Sequence, residues 1–426
     1  MIHFTSKYLS VIRQLNYFLF LAFVALLPYP QVFLRLVIVL WLATWLLEGR
    51  FLQKPKKEHL PLMVPFLLFG AWYLWKIISG LWVENADAYA WQLERYLSFG
   101  LIIPIGIWGV NEYYDWKQAC KVLAISCIAA AGIYAFTMYW MYNANAINSN
   151  IGRVPLQDMP LSFFEGKISY IKHRLFLCST EILGITALLY VRKDIIAKFG
   201  TVKAWIMIAL GIAIMSALIL ATGSRASILS GAAILTIALL YKLPIRRMRY
   251  KVAFLLLASG IGVFSLCMHP RMQQFDYEEL LSIRDVTTEH NIRLNIWGVA
   301  LDNWREYSSH GLGAGQSFPF LQQKYSTYGL HDYNFYNAHN QYLEEWIEIG
   351  IPGLIFFILA WLSIPFCTPQ HCRKSAIFLC ALYMMNMLTD CMFGRFDGIA
   401  LWCFWMILIR LQADTKTDQQ PARNAQ

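Results

Sequence analysis

Four ionisable residues stand where an apolar chain has least reason to keep them: Arg225, Arg293, His339 and Asp390. Each arginine carries a planar guanidinium fork that matches the oxygens of a phosphate or carboxylate. Arg225 lies in the tight turn Thr222-Gly223-Ser224-Arg225-Ala226-Ser227 between two apolar stretches. There the amides of a helix N-terminus point at the same anion as the fork; the plainer reading is an arginine reaching to lipid headgroups. Arg293 precedes Trp297 by four residues on a stretch with helical spacing, Asn291–Tyr307. That spacing serves either stacking on the indole or presentation of the fork to a ligand.

His339 heads the segment His339-Asn340-Gln341-Tyr342-Leu343-Glu344-Glu345-Trp346-Ile347-Glu348-Ile349-Gly350-Ile351-Pro352-Gly353. A histidine held at the mouth of an aqueous cavity takes up protons near neutral pH, which makes it a candidate general base; the alternative is a hydrogen-bonded cap. If a helix starts at His339, a step of about 100° per residue brings Gly350 to within roughly 20° of it, with Trp346 and Gly353 on the same stripe. Glycines on that stripe admit close helix packing and turn the histidine toward a bundle interior. Asp390, in Leu388-Thr389-Asp390-Cys391, is either a fourth member of the site or a partner for Arg395, while Asn340 and Glu344 are secondary candidates.

The elements that must position these groups are membrane helices. Of 426 residues, 58% are hydrophobic and only 15% charged, against roughly 25% charged in soluble domains. This excludes an ordinary soluble enzyme and a disordered chain, and predicts an all-α polytopic membrane protein. A span needs roughly 20 apolar residues. About twelve stretches qualify, near 15–28, 31–47, 61–80, 96–110, 119–141, 174–191, 204–222, 226–241, 252–268, 343–365, 375–390 and 398–412. The first two also read as one broken pair around Pro28 and Pro30. No small-residue cleavage site follows the first stretch, so a cleavable signal is not expected.

The organisation that follows is residues 1–268 as spans one to nine with a smaller external loop at 142–173, a large external loop at 269–342, spans ten to twelve over 343–412, and a polar tail at 413–426. The net charge of +10 obeys this layout. With both termini inside, the cytoplasmic segments hold 22 basic and seven acidic residues, leaving 14 basic and 19 acidic elsewhere. That is the positive-inside asymmetry, so the basic excess is topology rather than a nucleic-acid site.

The nine cysteines fall mostly inside apolar stretches without CxxC pairs or zinc-ligand spacing, and imply neither disulfide nor metal. The external loops hold no DxD pair suited to a nucleotide-sugar–metal complex. The large loop is too long for a connector. It carries the glycines Gly311, Gly313 and Gly315, then Phe318, Phe320, Tyr325, Tyr328, Tyr333, Phe335 and Tyr336. Aromatic faces suit the apolar faces of sugar rings, and they equally suit an interfacial belt.

The run His339-Asn340, nine residues, then Gly350-x-x-Gly353 resembles the signature of the O-antigen ligase family, which includes O-antigen polymerases and related protein oligosaccharyltransferases. The Ser224-Arg225 turn and the Arg293…Trp297 helix leading to Gly311-Leu312-Gly313-Ala314-Gly315 are similar to its other recurring elements. The resemblance implies a GT-C-type glycosyltransferase of the bacterial inner membrane. Such an enzyme moves a glycan from undecaprenyl diphosphate to lipid A core on the periplasmic side, with inversion, without metal or cofactor. It assigns the diphosphate to Arg225 and Arg293 and the acceptor hydroxyl to His339. The ligase is the leading reading, ahead of a polymerase with the same parts. The short tail argues against a protein oligosaccharyltransferase. A transporter would show charged or broken helices at the bilayer midplane and repeat symmetry.

Overall fold

A computed structural model of the chain describes residues 6–52, 60–148, 172–222, 292–330 and 336–417, with single positions 224, 229, 231 and 333. The described residues are helical and contain no strand. Six helices are long and apolar enough to cross a membrane: Lys7–Leu26, Leu60–Leu81, Trp116–Trp140, Thr201–Ala221, Gln341–Cys367 and Phe396–Ala413. A seventh arises if Arg174–Tyr190 and Arg192–Phe199, bent by 54°, form one broken span. The expected stretches at 226–241, apart from 229 and 231, and at 252–268, most of the 142–173 loop, and residues 269–291, 331, 332, 334 and 335 of the large loop lie outside the described residues.

Two units divide the chain: Met1–Arg13 with Leu42–Tyr114 and Phe275–Gln426, and Gln14–Trp41 with Asp115–Gln274. The described helices, numbered in chain order, are α1 (Ser6–Leu26), α2 (Val32–Leu47), α3 (Leu60–Ile78), α4 (Ala86–Trp108), α5 (Trp116–Asn148), α6 (Arg174–Tyr190), α7 (Arg192–Phe199), α8 (Thr201–Ala221), α9 (Ile292–Asp302), α10 (Ser317–Thr327), α11 (Gln341–Cys367), α12 (Arg373–Met387) and α13 (Phe396–Thr417).

In the second unit, α5, α6 and α8 enclose Ala130, Ala131, Tyr134, Leu177 and Leu218. Lys172 ties the start of α6 to the turn after α1 by donating to the carbonyls of Leu27 (2.7 Å) and Tyr29 (3.0 Å). A proline-rich turn leaves such carbonyls without helical donors, so the ammonium supplies them.

The first unit holds His339, Asp390 and Arg293. Its α4 starts where the Asn85 side chain accepts from the Ala88 amide, and stops at Gly109 with φ 81°, a left-handed cap that glycine adopts without strain. At its centre α13 is buried nearly throughout, and Trp402 packs on Phe69 and Phe99 at ring separations of 4.6 and 4.7 Å. Trp361 of α11 stacks on Tyr383 of α12 at 5.1 Å. Interlocked aromatics of this kind add contact energy beyond the area they bury, and they fix α3, α4, α11 and α13 laterally.

Helix α11 is broken. Gly350 has φ 64° and ψ −171°, and Pro352 follows two residues later. In an unbroken helix the amides of Ile351 and residue 352 would return to the carbonyls of Ile347 and Glu348. Proline has no amide to give, and Ile351 donates instead to Ser308 O at 3.0 Å. The two freed carbonyls take the amides of Leu312 (2.9 Å) and Gly313 (2.7 Å). Gly311, Gly313 and Gly315 all have positive φ, so the loop threads its amides along the break where a side chain would strain the backbone. The stripe expected from His339 through Gly350 to Gly353 is therefore corrected: the chain leaves the helix at Gly350, and its periodicity does not carry across.

Candidate active site

His339 is not the first residue of α11. The cap is Asn340, whose side chain accepts from the Leu343 amide at 3.1 Å, and His339 precedes it with φ 45°. Left-handed backbone at a non-glycine residue is strained and persists where its surroundings enforce it. Here Asn337 Oδ1 accepts from the His339 amide at 3.1 Å. The Trp297 indole N–H donates to Ala338 O at 2.9 Å. The histidine is held by a loop that α9 clamps, rather than by a helix face.

The imidazole lies beside Asp390, with Nδ1 to Oδ1 at 3.7 Å. That separation is too long for a hydrogen bond, and it suits an electrostatic pair once the ring is protonated. Nδ1 is the buried nitrogen. The ring is bordered by Tyr336 at 5.8 Å. Asp390 is itself fixed, its Oδ1 accepting from the Cys391 amide at 2.8 Å. Asn340 Nδ2 ties the same turn down by donating to Leu388 O at 3.3 Å. Thus Asn340, a secondary candidate, caps α11 and anchors the Asp390 turn together. If the carboxylate orients and stabilises the ring, Asp390→Asn is expected to lower turnover about 10- to 100-fold at unchanged melting temperature. Steady-state rates on purified protein would check this; wild-type turnover would remove Asp390 from the site.

Arg293 is exposed on the first turn of α9. Its neighbour one turn on, Trp297, is spent on Ala338, and Asn295 Nδ2 donates to the Tyr333 hydroxyl at 2.9 Å. The helix carrying Arg293 is thereby docked on the segment carrying His339. Arg225, the other expected anion ligand, lies outside the described residues.

The aromatic loop is chiefly a core. Tyr307, Phe320, Tyr325 and Tyr333 are buried with Ile296, Val299, Leu343 and Ile347. Burial first, then the charge of Glu306, raises the Tyr307 phenol above its ordinary range, and its hydroxyl stays a donor to Ala300 O at 2.7 Å. Phe318 and Tyr328 remain exposed, and Phe335 lies outside the described residues.

One cluster went unread in the sequence. Lys76 of α3 is fully buried between Glu345 Oε2 (3.0 Å) and Glu348 Oε2 (2.5 Å) of α11. Trp72 donates to the same Glu345 oxygen at 2.8 Å. Glu344, also buried, lies against Cys391. A lysine in an apolar stretch and a Glu345-x-x-Glu348 pair were the signals, and nothing local joins them.

Residues 210–358 match the family model described as O-antigen ligase. The match covers 149 of the chain's 426 residues. The family domain takes in Arg225, Arg293, the glycine loop, His339, Glu344, Glu345, Glu348 and the break at Gly350; Lys76 and Asp390 lie outside it. The chain is also similar to the teichuronic acid biosynthesis protein TuaE of Bacillus subtilis (strain 168), 23% identical over 317 residues. The match covers 70% of this chain and 58% of that protein, so the chain spans less than two thirds of the relative's length.

Proposed function

We propose that this chain is an O-antigen ligase, which moves a polysaccharide from undecaprenyl diphosphate to an acceptor sugar of lipid A core. The chemistry is placed at the outer face of the bacterial inner membrane, with both termini in the cytoplasm and the 269–342 region in the periplasm. The observation that carries the reading is the His339–Asp390 pair, with Nδ1 buried beside a fixed carboxylate and Arg293 on the helix that clamps the same loop.

In this mechanism His339 Nε2 takes the proton of the acceptor hydroxyl while that oxygen attacks the anomeric carbon. The bond from that carbon to the diphosphate breaks on the opposite face, and the configuration inverts. The departing diphosphate gains charge, and Arg293 and Arg225 meet it as cations with charge-assisted hydrogen bonds. Removing one such donor is typically worth about 10²–10³ in rate. Arg293→Ala is therefore expected to lose about that factor in kcat/KM for the lipid-linked donor, with Arg293→Lys intermediate. Initial rates against donor concentration would check it, and an unchanged Arg293→Ala would free this arginine from the diphosphate.

The test of the reading as a whole is complementation of a bacterial strain lacking its O-antigen ligase, scored on a lipopolysaccharide gel. Long glycan ladders attached to core support it. The second reading, a polymerase that extends a lipid-linked glycan with the same parts, is favoured by the relative named for teichuronic acid biosynthesis. Lipid-linked polymer without core attachment would be its outcome.

A further inference from the structure

Two helices of the first unit bury a lysine and two glutamates against each other at full desolvation. A buried ion cluster is poor evidence of stabilisation, because well-packed apolar residues usually serve as well or better. What the carboxylates do with their second oxygens is more informative. Glu348 Oε1 accepts the amide of Gly315 at 3.0 Å, the last bond that seats the glycine loop. Glu345 Oε1 accepts from Gln341 Nε2 at 2.7 Å, and Gln341 Oε1 accepts the amide of Phe393 at 2.7 Å.

The second chain of bonds has a fixed polarity. An ionised carboxylate only accepts and a backbone amide only donates. The Gln341 side chain between them therefore has one orientation, N–H toward Glu345 and carbonyl toward Phe393. Phe393 stands three residues after Asp390, and Gln341 two after His339. Lys76 is the charge within 3.0 Å of both glutamates.

We propose that Lys76 is a positioning residue for the His339–Asp390 pair. By pairing with both Glu345 and Glu348 it orients the Gln341 relay that fixes the Asp390 segment and seats the glycine loop beside it. This rests on the reading of His339 as the base. Displacement of a reacting group by about 1 Å costs on the order of 10²-fold in rate, so the effect falls on turnover rather than on substrate binding.

The test uses the full-length chain reconstituted in lipid nanodiscs, with a lipid-linked glycan as donor and a core glycolipid as acceptor. Lys76→Met is expected to lower kcat at least about 30-fold with KM for either substrate within about threefold, and Lys76→Arg to recover most of the loss. The deciding protein is the triple variant Lys76→Met, Glu345→Leu, Glu348→Leu, whose apolar replacements remove the unpaired charges. It is expected to melt near the wild-type temperature and still to lack turnover. If it regains wild-type kcat, the cluster is only structural and the proposal is overturned. Should that variant not fold, Gln341→Met cuts the relay alone: a drop of about 10-fold in kcat at wild-type melting supports the proposal, and unchanged kcat overturns it. His339→Ala is measured alongside. A fully active His339→Ala sinks the base assignment and this proposal with it, whereas an inactive His339→Ala beside a fully active triple variant sinks this proposal alone.

Discussion

His339→Ala is expected to lower glycan transfer by about 10²–10⁴-fold, the range that positioned acid–base help supplies. The bundle should survive, because the histidine side chain is partly exposed and lies outside the helix that follows it. The His339 backbone adopts φ 45°, a conformation that alanine tolerates less well than glycine. His339→Gly therefore separates the two contributions: it relieves the backbone and still removes the imidazole. Both variants should be inactive at wild-type melting temperature if the ring is the base. Turnover in His339→Gly close to wild type would end that role.

Gly350→Val is expected to be the most damaging single change to the first unit. A Cβ at this position would stand 2.6 Å from Gly311 N, His310 C and Ser309 O, all of them backbone, at φ 64°. Left-handed backbone costs a non-glycine residue about 1–2 kcal/mol. Moving the loop to relieve the overlap gives up the Ile351, Leu312 and Gly313 amide bonds, each worth about 0.5–1.5 kcal/mol net. Together the loss is on the order of 3–6 kcal/mol, read as a lowered melting temperature in detergent, with transfer lost as the loop undocks. Gly329→Ala is the control. It has φ 74° with nothing within 4 Å of the added carbon, so only the backbone strain of about 1–2 kcal/mol applies. Equal melting temperatures for the two variants would show that the loop does not depend on the break.

The candidate residues were legible in the sequence more readily than their surroundings. His339, Arg293 and the Gly350-x-x-Gly353 spacing stand out by type and interval. Gly350 does admit a close backbone neighbour, but the stripe expected to run from His339 through it does not hold, because a 100° step presumes an unbroken helix and Pro352 two residues past Gly350 marks the break. Aromatic composition does not distinguish a folded core from a sugar platform, and Tyr307, Phe320 and Tyr325 proved to be core. Lys76 and its glutamates were beyond local pattern, since a 272-residue separation in the chain carries no periodicity. Asp390 had two available neighbours by sequence, and only the fold brings the turn after α12 to His339. Of the expected spans, the one at 96–110 falls on α4, which is 23 residues long but is not among the six helices apolar enough to cross, while α2 and α12, at 16 and 15 residues, fall short of the usual crossing length.

The seam between α3 and α11 also bears on how the protein is made. Lys76 leaves the ribosome 272 residues before Glu348. At synthesis rates of about 5–20 residues per second that interval is roughly 15–50 s. Throughout it the ammonium has neither carboxylate, and an unpaired charge is not tolerated in hydrocarbon. Lying two residues from the end of α3 at Ile78, it can wait at the headgroups and be drawn in when α11 arrives. The buried lysine–glutamate cluster of the first unit therefore forms only once α11 has been made.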